Sequence, residues 1–178
     1  TERLRVAAWL LVPALVSVGA QDAFRADRAF LHRFVGSAAA CDAHRVRIAD
    51  TVGLARPSQV SEMVKRLTPL CGPTGLEFHG HNDLGMATAN ALEAVVNGAR
   101  QVECAINGIG ERTGNARLEE VVMALHARRE ALALDTGLDS RLIFPASQLV
   151  SHLTGLSIQP NKAIVGDNAF AYTSGMYQ

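Results

Sequence analysis

The chain has 178 residues, with 17 basic and 17 acidic side chains, so its formal net charge at pH 7 is zero. Apolar residues make up 48% and charged residues 19%, which suits a globular core and excludes an intrinsically disordered chain. There is no basic excess to bind nucleic acid and no block of like charge to form a tail.

Residues 5–21, RVAAWLLVPALVSVGAQ, join a basic start, an apolar run and a small-residue end. An export signal would look like this, and so would a buried helix leading into a strand. The run is broken by Pro13 and is too short to span a bilayer as a helix, so no membrane partner is expected. ALVSVGA (14–20) reads as a strand, and DRAFLHRFVGSAAA (27–40) as a helix with Phe30, Leu31, Phe34 and Val35 on one face. RVRIAD (45–50) alternates as a strand does, and Pro57 and Ser58 open a helix striped by Val60, Met63, Val64 and Leu67.

LEFHGH (76–81) is the third strand, and GMATANALEAVVNG (85–98) a helix closed by Gly98. RQVECAI (100–106) and ARLEEVVMALHARRE (116–130) form the fourth pair, and PASQLVSHLTG (145–155) a further helix between loops. Four βα units at roughly 30-residue spacing predict an α/β fold with a parallel sheet covered by helices. Either an open doubly wound sheet or a partial (β/α)8 TIM barrel satisfies that pattern. The domain expectation is a barrel portion over residues 1–130 and a different, loop-rich segment over 131–178. Cys41, Cys71 and Cys104 are odd in number and form no C-x-x-C pair, which fits a reducing cytosol.

The chemistry-bearing residues gather at predicted strand ends. In LEFHGH, period-2 alternation puts Glu77, His79 and His81 on one face, with Leu76 and Phe78 on the other. Two imidazoles at i and i+2 can reach one divalent ion, although hydrogen-bonded histidines give the same pattern. NGIGERTGN (107–115) is a glycine-rich loop carrying Glu111 and Arg112, and Asn115 precedes the next helix, where it could serve as a cap. The glycines Gly108, Gly110 and Gly114 are spaced G-x-G-x-x-x-G, which is not the dinucleotide fingerprint. Gln21, Asp22 and Arg25 end the first strand, and Asp50 and Thr51 the second; each could fix a turn or cap a helix.

RIADTVGLARPSQV, FHGHNDLGMATANALEAVVNGARQVECAINGIGERTGNARLEEVVMAL and QPNKAIVGDNAFA together resemble the 2-isopropylmalate synthases. That family lies within the HMGL-like, metal-dependent TIM-barrel group that also holds homocitrate and citramalate synthases. The resemblance implies strands 5–8 of the barrel, the second half of a catalytic domain, followed by the start of a truncated linker subdomain. It implies His79, His81 and Asn115 as metal ligands, with Mg, Mn or Zn as the divalent ion. It also implies Thr51 on the carboxylate of a 2-oxo acid, Glu111 near acetyl-CoA, and Gly108 and Gly110 leaving room for that substrate.

The implied reaction condenses acetyl-CoA with 3-methyl-2-oxobutanoate and hydrolyses the thioester, in leucine biosynthesis, as a cytoplasmic homodimer. Homocitrate synthase, citramalate synthase or an inactive truncated homologue are the alternatives. The chain departs from the family pattern at Gln21, where a catalytic Glu is usual, and at Tyr172 and Tyr177, where histidines are usual. A phenol with an ordinary pKa of ~10 is a poor base at neutral pH. The family's D-G-x-Q strand is not among these residues, and the isolated piece is expected to be inactive.

Overall fold

The computed structural model describes residues 15–171. The apolar run up to residue 14, Tyr172 and Tyr177 lie outside the described residues. The chain divides into two compact units: one runs to Glu103 and includes Gly110–Ala116, and the other takes Cys104–Ile109 and the chain from Arg117 onward.

The first unit alternates β1 (Ser17–Ala20), α1 (Arg28–Ala40), β2 (Arg45–Asp50), α2 (Pro57–Cys71), β3 (Gly75–Gly80), α3 (Ala87–Val96) and β4 (Gln101–Glu103). The sheet order is β1-β2-β3-β4, and every neighbouring pair is parallel. A doubly wound sheet reverses its strand order at a switch point. No reversal occurs here, and each strand neighbours its successor through one helix. Crossovers of one hand then keep the helices on one face of the sheet, and α2 packs against both α1 and α3. Of the two expected architectures, the sheet is therefore part of a (β/α)8 barrel.

Local sequence explains each element. The Asp27 carboxylate accepts the Phe30 N–H at 2.8 Å and caps α1. Pro57 stands at the first turn of α2, where a missing N–H costs nothing, and Gln59 Oε1 accepts the Arg56 N–H at 3.0 Å. Gly98 follows α3 at φ +113°, a backbone angle that a side chain would strain. On the helix-facing side of the sheet, register pairs Val46 with Leu76 and Ile48 with Phe78. All four are fully buried, together with Val35, Val60, Val64, Leu67, Ala87, Ala91 and Ala94 from the helices. Phe78 meets Phe24 edge-on, with ring centroids 6.1 Å apart.

Several element boundaries differ from the sequence expectation, and two of them bear on the glycine-rich loop. β4 ends at Glu103 rather than 106, because the chain winds into a 3₁₀ turn over Ile106–Gly108 with Asn107 at φ +58°. The next helix, α4, begins at Leu118, with Arg117 at the cap position and no side-chain cap. Asn115 therefore does not cap it.

The second unit contains that 3₁₀ turn, α4 (Leu118–Ala127), α5 (Arg129–Leu132) and α6 (Ile143–Thr154), with further 3₁₀ turns at Ser140–Leu142 and Asp167–Phe170. It buries Val121, Val122, Leu125 and Val165 together with a set of polar contacts. The Lys162 ammonium, 8% exposed, lies 3.0 Å from Glu119 Oε1 and 2.5 Å from Glu120 Oε1. Glu119 Oε2 accepts the Asn107 N–H at 3.0 Å, and the Asn107 amide donates to the Ser147 carbonyl at 3.0 Å. Leu142, Leu149, Leu153 and Leu156, along and beside α6, are exposed.

Phe78→Ala is expected to destabilise the chain by about 3–5 kcal/mol, the usual cost of emptying an aromatic core position, measured by urea titration followed by circular dichroism. Lys162→Met should leave Glu119 buried without its counter-charge and cost about 3–5 kcal/mol. Hydrogen exchange over residues 143–167 would report it as lost protection; unchanged protection would refute the role of Lys162.

Candidate metal centre

Residues 79–81 leave the C-terminal end of β3, and the strand proper stops at Gly80. His81 then pairs with Asn115 in an isolated antiparallel bridge. The Asn82 N–H donates to the Gly114 carbonyl at 2.9 Å, and the Ala116 N–H donates to the Gly80 carbonyl at 3.2 Å. Those two bonds flank His81 and Asn115, which makes them a non-hydrogen-bonded pair, the closer of the two antiparallel types, with Cα atoms about 4.5 Å apart in general. The His–x–His strand end and the glycine-rich loop, 34 positions apart by residue number, are thus brought side by side.

His79 Nε2 and His81 Nε2 are 3.2 Å apart. Their rings are nearly perpendicular, at 83°. Two nitrogens at that separation subtend roughly 100° at an ion with bonds of ~2.05 Å, which suits tetrahedral or octahedral coordination. Among the described residues, no group of three or more His, Cys, Asp or Glu side chains could hold an ion. The donor set is two imidazoles and one amide, which fits a divalent ion but does not complete its coordination. Gly110 makes room for the amide: a Cβ there would overlap the Asn115 Nδ2 atom. That gives Gly110 a local reason independent of any cofactor. Gly108 belongs to the second unit and is buried at φ +67°.

Burial lowers the His79 pKa, with the nearby His81 and Arg47 acting in the same direction and Glu103 opposing them. Burial thus favours the neutral ring, the form that ligates. Register places Glu103 beside His79. Glu103 Oε2 lies 2.6 Å from His79 Nδ1, and Glu103 Oε1 accepts from Arg47 at 2.7 Å. Burial and the adjoining Glu103 carboxylate push Glu77 up to about 7. Burial also opposes ionisation of Glu103, but hydrogen bonds from Glu77 and Arg47 prevail and hold it below the usual carboxylate range.

The neighbouring loops are tied together by Arg112. Its guanidinium grips both oxygens of Asp83, at 2.7 and 2.9 Å, and donates to the Thr51 carbonyl at 2.7 Å. The Arg112 pair holds the Asp83 carboxyl below its ordinary range. Thr51 and Gln21 are also brought together: Thr51 Oγ1 donates to Gln21 Oε1 at 3.0 Å and accepts the Asp22 N–H at 2.8 Å. Asp50 is 1% exposed and accepts N–H groups of Leu54 and Ala55 at 3.1 and 3.0 Å, so it fixes a turn. Glu111 stands apart, with its side chain 83% exposed and 4.0 Å from Arg112.

Sequence reasoning assigned no role to Asp83, Arg112, Arg47 or Glu103. Glu103 was recoverable in principle, because an acidic residue in a short parallel strand is unusual. Finding its partner required the register. The described residues contain no helix long and apolar enough to cross a membrane. No disulfide joins Cys41, Cys71 and Cys104.

The chain resembles known proteins along most of its length. It is 51% identical over 166 residues to the 2-isopropylmalate synthase of Nitrosospira multiformis, covering 92% of this chain and 32% of that protein. The 2-isopropylmalate synthase of Carboxydothermus hydrogenoformans is 49% identical, with 92% and 33% covered. The chain thus spans about a third of the length of these curated relatives. An HMG-CoA lyase from Acenitobacter baumannii, solved with coenzyme A and 3-methylmalate, superposes with a TM-score of 0.76 at 24% identity, covering 92% of this chain and 57% of that one. The carboxyl transferase domain of Rhizobium etli pyruvate carboxylase, solved with pyruvate, gives 0.70 at 23% identity, with 86% and 26% covered. At that identity the two structures speak for the fold. The model of the HMGL-like family matches residues 3–150, and together with the two synthases this shows that the chain belongs to the HMGL-like family.

Proposed function

We propose that this chain forms part of the catalytic barrel of a 2-isopropylmalate synthase, which condenses acetyl-CoA with 3-methyl-2-oxobutanoate and hydrolyses the thioester. The observation that carries the proposal is the convergence of His79, His81 and Asn115 at the C-terminal end of β3, where a barrel places its chemistry. When bound, a divalent ion (Mg, Mn or Zn) supplies Lewis-acid polarisation of a ketone. His79 and His81 present nitrogen donors and Asn115 an amide oxygen to that ion.

Other residues position the substrates. Asp83 and Arg112 hold the β2, β3 and β4 loops in one arrangement, so the oxo acid would meet a preformed rim. Thr51 has the hydroxyl proton suited to a carboxylate, and Glu111 the exposure suited to an acyl-CoA approaching from solvent. Gly108 and Gly110 keep the intervening loop slim. The proposed partners are the two small molecules and a second copy of the complete protein, acting in leucine biosynthesis in the cytoplasm.

One observation favours a second reading, an inactive homologue that retains part of the metal site. Gln21, which accepts from the Thr51 hydroxyl, is a neutral amide where the resembled family usually has Glu, and an amide cannot act as a carboxylate. Homocitrate and citramalate synthase activities differ only in the oxo acid.

Thiol release from acetyl-CoA by the complete protein should be fastest with 3-methyl-2-oxobutanoate. Equal turnover with 2-oxoglutarate and pyruvate would defeat the synthase assignment, and no turnover with any of the three would favour the inactive homologue. His81→Ala should weaken Mn²⁺ binding at least tenfold, as measured by electron paramagnetic resonance of free Mn²⁺, and an unchanged affinity would refute the ligand role.

A further inference from the structure

The inward face of the sheet is charged where a barrel interior is ordinarily filled with branched aliphatic side chains. Register sets Arg47, Glu77 and Gln101 in one row, and Ala49, His79 and Glu103 in the next. The charges are interlocked. Arg47 donates to Glu103 Oε1 at 2.7 Å, Glu103 Oε2 faces His79 Nδ1 at 2.6 Å, and the Ser17 hydroxyl reaches Glu77 Oε2 at 3.4 Å. Gly19 keeps the space open: a Cβ there would stand 3.2 Å from Arg47 Nη2 and 3.3 Å from its Nε.

Stability alone does not call for this arrangement. These side chains are part-buried, and an ion pair in such a setting generally adds little to stability. On the helix-facing side of the same strands, Val46, Ile48, Leu76 and Phe78 are buried apolar residues, so the fold has an apolar solution available. What the charged row does achieve is orientation. Glu103 is held on one oxygen by Arg47 and is also hydrogen-bonded by Glu77, while its other oxygen lies 2.6 Å from the ring nitrogen of His79 that points away from His81.

We infer that Glu103 is a positioning residue for His79: it accepts the Nδ1–H, fixes that tautomer, and so aims an unprotonated Nε2 at His81 and at a bound cation. Arg47 steadies Glu103 by holding its other oxygen, which also keeps this carboxylate from turning onto the ion itself. His81 Nε2 lies 3.2 Å from His79 Nε2, and with His79 in that tautomer the proton between them belongs to His81. A ligating histidine whose second nitrogen is held by a carboxylate is a more basic donor and needs no reorientation to bind. The consequence for metal affinity rests on the proposed metal site; the tautomer is a property of the metal-free chain.

Two-bond ¹H–¹⁵N correlation spectra of the metal-free full chain, with His79 assigned through His79→Gln, read the tautomer directly. The expected result is Nδ1–H at His79 in the wild type. Glu103→Gln, whose amide oxygen can accept the same proton, should keep that pattern. Glu103→Leu should shift His79 toward the Nε2–H form that free imidazole prefers, and weaken Mn²⁺ binding by roughly 10–100-fold.

A wild-type His79 in the Nε2–H form would overturn the inference without reference to any variant, even if Glu103→Leu fails to fold. So would a folded Glu103→Leu with unchanged tautomer and unchanged Mn²⁺ affinity. A wild-type chain that shows Nδ1–H but binds no Mn²⁺ would support the positioning role and overturn the metal site, so the two claims fail separately.

Discussion

Two backbone hydrogen bonds, Asn82 N–H to Gly114 and Ala116 N–H to Gly80, organise the candidate site. Without them, the end of β3 and the glycine-rich loop would be separate surface segments. With them, His81 and Asn115 face each other as a close cross-strand pair, and Gly110 leaves the amide its space. The side-chain chemistry of the site is thus a consequence of main-chain pairing. Arg112 reinforces the same closure from outside by joining Asp83 to the Thr51 carbonyl. Three loops that follow three different strands are fixed by one guanidinium, which suits a site that must be rigid before substrate arrives.

The strands serve two purposes on their two faces. Val46, Ile48, Leu76 and Phe78 bury the apolar area that holds α1–α3 to the sheet. Arg47, Glu77, His79 and Glu103 occupy the opposite face, where they compensate one another. The division lets one short strand, β3, anchor the core through Phe78 and present chemistry through His79. The second unit uses the same device differently, since buried Lys162 balances Glu119 and Glu120 and links the 159–162 turn to α4.

Much of this was legible in the sequence, and the reason is periodicity. RVRIAD and LEFHGH alternate cleanly, and the observed strands begin and end within one residue of expectation. The helix opened by Pro57 follows from its proline and its valine–leucine stripe. The four-unit repeat named the fold class, while only strand order could choose between the barrel and the doubly wound sheet. β4 was overextended because RQVECAI remains apolar after the backbone has turned, and Asn107 in a left-handed conformation gives little local signal. Asn115 stands before a helix yet caps nothing, since α4 begins at Leu118. Glu103 and Arg47 were invisible as partners because a one-dimensional pattern gives the face of a residue but not its neighbour on the next strand.

The four leucines exposed along and beside α6 have a practical side. The chain carries no net charge at pH 7, so colloidal repulsion between copies is weakest at the pH where most handling is done. Apolar contact between molecules then has nothing long-ranged to oppose it. Buffers a unit or two to either side of neutrality, at low ionic strength, keep copies apart.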